Sequence, residues 1–141
     1  MMRASSIVCA IGLAAVSLGT AVAEPSAAQK GVLDGYVTTA RQEAGFSGPS
    51  AERGRKFFFA EHAGGKADSP ACTSCHGKDL TKPGETRAGK AIEPMAASVT
   101  ATRYTDPANV EKWFRRNCRD VLGRECTAAE KADALAFLLG L

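Results

Sequence analysis

Five consecutive residues constrain this chain more than any other stretch: Cys72-Thr73-Ser74-Cys75-His76. A Cys-x-x-Cys-His motif is typical of c-type haem attachment, because its two thiols can add to the two vinyl groups of one porphyrin. The histidine that follows can then serve as the proximal iron ligand. A thioredoxin-like site would need a βαβ setting, and a zinc site would need two further ligands. The motif therefore predicts one covalent haem c held by Cys72, Cys75 and His76.

The N-terminal residues resemble an export signal. Arg3 precedes an apolar run over residues 7–22, and Ala21-Val22-Ala23 is a small-x-small cleavage site. We expect cleavage after Ala23, with residues 1–23 as signal peptide and 24–141 as the mature chain. An uncleaved membrane anchor is the alternative, but the run is short for a span of about 20 residues. Because c-type haem is attached outside the energised membrane, we predict that the protein is located in the periplasm. After cleavage of the signal, we expect it not to be an integral membrane protein.

Composition limits the classes of partner. The chain has 18 Lys and Arg against 15 Asp and Glu, so its formal net charge is only +3. Its basic residues are spread along the chain without interleaved aromatic residues, which does not indicate nucleic-acid binding. They are more typical of a solvated face. The length allows one small domain after the signal.

The remaining cysteines predict a disulfide. Of the five cysteines, Cys9 lies in the signal and two belong to the haem motif, which leaves Cys118 and Cys126. Two leftover thiols in an oxidising compartment usually pair. Closing so short a loop is worth roughly 2–3 kcal/mol in the chain-entropy model. Two buried thiols are the alternative.

The hydrophobic pattern indicates an all-α chain, since no run alternates as a strand would. Four helices are expected, with an irregular stretch from Gly77 to Arg103 that can wrap a haem. They begin or run as follows: roughly Ser26 to Ala44; Ser50 through Phe59 to about His62; from a cap at Thr105 or Asp106, with Pro107 in the first turn; and from the capping box Thr127-Ala128-Ala129-Glu130 to the C-terminus. The apolar stripe of the last helix is Leu135, Leu138 and Leu139.

One glycine in the second expected helix predicts a close helix contact. Gly54 falls at helical spacing with Phe57 and Phe58. A glycine on an apolar face lets another helix approach its backbone.

The third expected helix carries an amide on its apolar face. Val110, Trp113, Phe114 and Asn117 follow the i, i+3, i+4, i+7 pattern of a buried face. We expect Trp113 and Phe114 to pack against the haem or a helix rather than to relay electrons. A buried amide needs a partner. Asn117 therefore either caps the end of the helix or points at the iron.

The residues leave several candidates for the second axial position of the iron. Methionine is a common sixth ligand in cytochromes c, and Met95 is the only methionine after the signal, but it follows His76 closely. Its alternative role is packing against the haem. His62 is the only other histidine and lies near a helix end. We place no lysine on an apolar face. An open sixth site is a further candidate.

The run from Val110 to Thr127, VEKWFRRNCRDVLGRECT, resembles the C-terminal part of the sphaeroides haem protein family. The resemblance includes Ile92-Glu93-Pro94-Met95-Ala96 and the haem motif, and covers roughly residues 50–141. It implies a class I cytochrome c-like haem fold over residues 50–141, with residues 24–49 as an N-terminal helical extension.

The resemblance also implies the ligand set and the function. Asn117 matches the family's asparagine sixth ligand, and the disulfide carries over to Cys118 and Cys126. An amide oxygen is a hard, weak donor, so reduction of the iron should release Asn117 and open the iron to dioxygen, nitric oxide or carbon monoxide. The freed amide could donate an N–H to bound dioxygen. The expected partners are a dihaem cytochrome c and, behind it, a membrane cytochrome b.

Three rival functions remain. One is a plain electron-transfer cytochrome c with Met95 as sixth ligand. Another is a haem enzyme that reduces oxygen or nitric oxide. The least favoured is a gas sensor, which would need a partner for signalling. The sequence favours an electron-transfer and ligand-binding protein over an enzyme.

Overall fold

The computed structural model describes residues 24–141, so the predicted signal peptide lies outside the described residues. The described chain is mostly helical, which confirms the all-α prediction. No helix in residues 24–141 is long and apolar enough to span a membrane. The elements in chain order are α1 (Ala27–Ala40), α2 (Ala51–Phe59), α3 (Thr73–His76), β1 (Gly84–Glu85), β2 (Ala91–Ile92), α4 (Pro107–Leu122) and α5 (Ala128–Leu139).

Side-chain caps fix where the long helices begin. The Ser50 hydroxyl accepts from the backbone N–H of Arg53 at the start of α2. Asp106, and not Thr105, caps α4, with Pro107 in its first turn. Thr127 forms the predicted capping box with Glu130 at the start of α5.

The ends of the first two helices come earlier than expected. α1 ends at Ala40 rather than Ala44, because tight turns follow, with Gln42 N–H donating to Thr39 O at 3.1 Å. α2 ends at Phe59, since Ala60 is already extended.

The crossing of α2 and α5 forms the centre of the scaffold. A Cβ on Gly54 would overlap the backbone carbonyl of Asp133, so the two helix backbones are in direct contact. This confirms the predicted close approach. The Arg53 guanidinium of α2 also donates to the carboxylate of Asp133, with Nε 2.7 Å from Oδ2. Helix α1 packs on α5 as well.

Two apolar clusters share α5 as their common wall. The first cluster lies between α1, α4 and α5, and Leu135 at its centre is fully buried. The second lies between α2, α5 and the chain after the haem motif. The buried members are Val32, Ala97, Val110, Leu135 and Leu139 in the first cluster, and Phe58, Leu80, Met95, Phe137 and Leu138 in the second.

The stretch from Gly77 to Arg103 is irregular except for one short antiparallel pair, which the sequence did not predict. Gly84 pairs with Ile92 and Glu85 with Ala91. Two-residue strands are too short to show an alternating pattern. A Cβ on Gly84 would overlap the carbonyl of Cys75 and lie 2.8 Å from the Cα of His76. The pair therefore packs directly on the haem motif.

Candidate haem site

The haem motif folds as a single helical turn. Cys72 O accepts from the N–H of Cys75 at 3.3 Å and from that of His76 at 3.2 Å. Gly77, at φ +70°, ends the turn in a conformation that favours glycine. Among the described cysteines, Cys72 and Cys75 are not in a disulfide, and burial raises the pKa of the Cys72 thiol to about 11. The two thiols therefore lie on one helical turn with the histidine.

His76 lies in an environment that favours its neutral form. Burial, and then the positive charge of Arg103, lower the pKa of His76 to about 4. The Phe58 ring lies 5.8 Å from the imidazole, centroid to centroid. The buried Nδ1 has no hydrogen-bond partner among the described residues. A neutral imidazole is the form that binds a metal. The residues therefore fit a covalent haem, with Cys72 and Cys75 as attachment points and His76 as ligand.

Asn117 is half-buried on α4, within the helix and not at its end. The helix continues to Leu122, and Gly123 supplies the left-handed cap at φ +69°. The alternative that Asn117 caps the helix is therefore wrong. The next residue, Cys118, is buried and joined to Cys126 as a disulfide with a Cα–Cα distance of 5.6 Å. This bond ties α4 to the start of α5.

The end of α4 also contacts the loop that leads into the haem motif. Lys66 N–H donates to the backbone carbonyl of Asp120 at 2.7 Å, and its Nζ lies 2.6 Å from the Asp120 carboxylate. A Cβ on Gly65 would overlap the carbonyls of Asp120 and Val121. Arg87 donates to Asp68 at 2.9 Å on the same loop. The helix with Asn117 is therefore packed on the segment before Cys72.

Met95 lies in the second apolar cluster, which also contains the neighbour of His76, Phe58. It is buried with Phe58, the residue whose ring stacks near His76, and Cys72 packs against the same cluster. Its N–H donates to Leu80 O at 2.9 Å, and the Tyr104 hydroxyl donates to Met95 O at 2.7 Å. Tyr104 adopts φ +63°, an uncommon conformation for a bulky residue. The backbone of Met95 is therefore held from both sides.

His62 makes a local contact at the end of α2. Its Nε2 lies 2.9 Å from the backbone carbonyl of Phe57, and its ring lies 5.0 Å from the Phe57 ring. One ring nitrogen is therefore already engaged with the helix end.

The two aromatic residues of α4 differ in their packing. Phe114 is half-buried and meets Tyr36 of α1 edge-on at 5.6 Å, which confirms the expected packing against a helix. Trp113 is 46 % exposed and lies beside the cations of Lys112 and Arg116. The expectation that it packs against a helix is wrong, and packing against the haem stays a prediction.

One polar cluster was not predicted from the sequence. Lys131 of α5 is buried and donates to both carboxylate oxygens of Glu111 on α4, at 2.8 and 3.0 Å. The Tyr36 hydroxyl of α1 donates to the same carboxylate at 3.0 Å. The expectation that no lysine lies on an apolar face is wrong for Lys131, because it precedes Leu135 by one helical turn. That spacing was the signal that Lys131 is buried, although it does not identify the residue with which Lys131 pairs.

A Cys-x-x-Cys-His turn on an all-α scaffold, followed by an irregular segment and the long helix α4, is typical of a c-type cytochrome. A protein-family model described as a domain of unknown function (DUF1924) matches residues 44–138. The chain belongs to the family of the sphaeroides haem protein, SHP. It is 51% identical to the cytochrome c-type protein SHP of Cereibacter sphaeroides over 127 residues, covering 89% of this chain and 93% of that protein. Its cofactor is one covalent haem c.

Solved structures agree with this assignment. A structure of oxidised SHP, described as an oxygen-binding cytochrome c, aligns with a TM-score of 0.73 at 47% identity, covering 82% of this chain and 97% of that chain. Oxidised cytochrome c'' of Methylophilus methylotrophus aligns with a TM-score of 0.67 at 32% identity, covering 79% and 93%. By sequence, cytochrome c'' is 36% identical over 95 residues, covering 67% of this chain and 66% of that protein.

Proposed function

We propose that this protein is an exported, periplasmic cytochrome with a redox-labile asparagine ligand, which accepts electrons and binds a diatomic gas when reduced. Cys72 and Cys75 hold the haem, His76 is the proximal ligand and Asn117 is the distal ligand of the oxidised state. The haem supplies a one-electron redox centre and an iron position for the gas. The electron donor is a dihaem cytochrome c, with a membrane cytochrome b behind it.

The placement of Met95 is the observation that carries the proposal. A sixth ligand must come from the side of the haem opposite His76. Met95 instead belongs to the cluster of Phe58, whose ring lies 5.8 Å from the His76 ring. His62, the other candidate, has its Nε2 at the carbonyl of Phe57. Asn117 lies on α4, outside the cluster that contains Phe58 and Met95, and is only half-buried. This arrangement supports Asn117 over Met95 and His62.

The chemistry of the Asn117 amide supports a redox-dependent ligand. A carbonyl oxygen is a hard donor and suits harder cations better than soft ones. Ferric iron is harder than ferrous iron, so an Asn117 ligand would be held more weakly once the iron is reduced. The relative described as an oxygen-binding cytochrome c, at 47% identity, supports a diatomic gas as the incoming ligand.

The deciding experiment compares optical spectra of the wild-type holoprotein and Asn117→Ala, ferric and then ferrous under carbon monoxide. We expect a ferric wild type with six ligands, a ferric variant with an open site, and a ferrous form of both that binds carbon monoxide. Asn109→Ala is the matched control, because Asn109 is exposed on the same helix. A variant identical to wild type, together with a ferrous form that refuses carbon monoxide, would overturn the proposal in favour of an electron carrier with Met95 on the iron.

A further inference from the structure

Three helices meet at one carboxylate. Glu111 of α4 accepts from Lys131 Nζ at 2.8 and 3.0 Å and from the Tyr36 hydroxyl at 3.0 Å. The Lys131 ammonium also lies 5.7 Å from the centroid of the Tyr36 ring. These three residues, which we call the Glu111 cluster, join α4 to both α1 and α5.

The cluster is a charged contact at the edge of an apolar core. The side chain of Lys131 is only 11% exposed, and that of Glu111 is 44% exposed. Burial alone would raise the pKa of Glu111, but the hydrogen bonds from Lys131 and Tyr36 hold it below its usual range. A buried ammonium tolerates little displacement of its counter-ion, because its alternative is an unpaired charge. The cluster therefore favours one relative position of the helices.

The distal helix is attached differently from its neighbours. Within residues 24–141, α1 and α2 both pack with their backbones close to α5, whereas α4 makes no comparably extensive backbone approach to another element. Its attachments are side chains and its C-terminal end. Asn117 lies between two of them, with Glu111 less than two turns before it and Cys118 directly after it. Because a helix transmits a displacement along its axis, a shift at Glu111 moves Asn117.

We propose that the Glu111 cluster positions the distal ligand. It fixes α4 both along its own axis and in its rotation about that axis, so that Asn117 reaches the iron. The inference rests on the proposed role of Asn117. Glu111, Lys131 and Tyr36 are positioning residues and do not touch the haem iron themselves. The cluster keeps α4 in place when Asn117 is released, so that the amide returns on oxidation.

The test replaces Glu111 with glutamine in the holoprotein, which keeps the size of the side chain and removes its charge. We expect an increased high-spin fraction in the ferric spectrum and at least a threefold faster association of carbon monoxide with the ferrous form. Adding Lys131→Met removes the stranded ammonium but does not replace the lost contact, so both values should stay shifted from wild type. A return to wild-type values in the double variant would overturn the inference, because it would show that the stranded charge, and not the lost contact, moved α4. Tyr36→Phe, which removes only a hydroxyl, should shift both values in the same direction by less, and serves if Glu111→Gln does not fold.

Asp133→Asn is the matched control. It breaks the ion pair between Arg53 and Asp133, which joins α2 to α5 without involving α4. We expect it to lower stability while the ferric spectrum and the carbon monoxide rate stay at wild-type values. If Glu111→Gln and Tyr36→Phe behave in the same way as Asp133→Asn, the inference is overturned and the cluster is only structural. The proposed role of Asn117 has its own outcome, since Asn117→Ala tests it independently.

Discussion

The crossing of α2 and α5 and the attachment of α4 represent two ways of holding a helix. At the crossing, Gly54 brings two backbones into contact, and neither helix can move without separating the core. Helix α4 is instead held by separate ties: the Glu111 cluster, the disulfide at Cys118 and the loop at Lys66. The first kind of contact supports the helix that precedes the haem motif. The second kind can change the position of Asn117 while the fold persists.

The largest expected effect on stability is at the crossing. Gly54→Ala places a Cβ against the Asp133 carbonyl, where backbone atoms cannot give way. We expect a loss of about 2–3 kcal/mol in the free energy of unfolding. Urea denaturation of the holoprotein measures it.

Gly35→Ala on α1 is the control for Gly54→Ala, because a Cβ there meets nothing within 4 Å. Because alanine has a higher helix propensity than glycine, this variant should be about 1 kcal/mol more stable than wild type. Equal losses in the two variants would contradict the close crossing. The ferric spectrum should be unchanged in each folded variant.

A smaller loss of stability and a larger change at the iron are expected for the disulfide. Cys118→Ser with Cys126→Ser removes a tie beside Asn117 and should cost about 2 kcal/mol. The ferric form should become partly five-coordinate, which an optical spectrum and a stopped-flow ligand-binding rate both detect. An unchanged spectrum and rate would argue against the disulfide as a support for Asn117.

The smallest effect is expected for an exposed ion pair between α4 and the connection that leads from α4 to α5. Arg119 Nη2 lies 2.9 Å from Glu125 Oε1, and both side chains are largely exposed. Glu125→Ala should change the free energy of unfolding by no more than about 0.5 kcal/mol. A spectral change as large as that of the disulfide variant would show that any disturbance of the connection between α4 and α5 moves Asn117. The effect would then not be specific to the disulfide bond.

Local chemistry explains which elements the sequence could predict. Ser50, Pro107 and Thr127 mark helix starts because their effects act within one turn, and Gly54 indicated a close contact because its face was apolar. The haem motif could be predicted for the same reason, because its functional residues all lie within five consecutive positions.

Contacts between distant residues explain what the sequence could not predict. The pairing of Glu111 with Lys131 depends on how α4 meets α5, which no local spacing encodes. The exposure of Trp113 depends on the rotation of α4 about its axis. The sequence placed Asn117 on an apolar face, but only the course of the helix to Leu122 excludes it as a cap.

The contact between Gly54 and Asp133 also has a consequence for the maturation of the protein. It joins residues on either side of the haem motif, one on α2 and the other on α5. Contacts between residues so distant in sequence carry a large loop-closure cost and depend on the presence of both partners. The core cannot close until α5 is available to pack on α2. Until then, Cys72 and Cys75 belong to an open chain, which is the form in which two thiols are most accessible for covalent attachment.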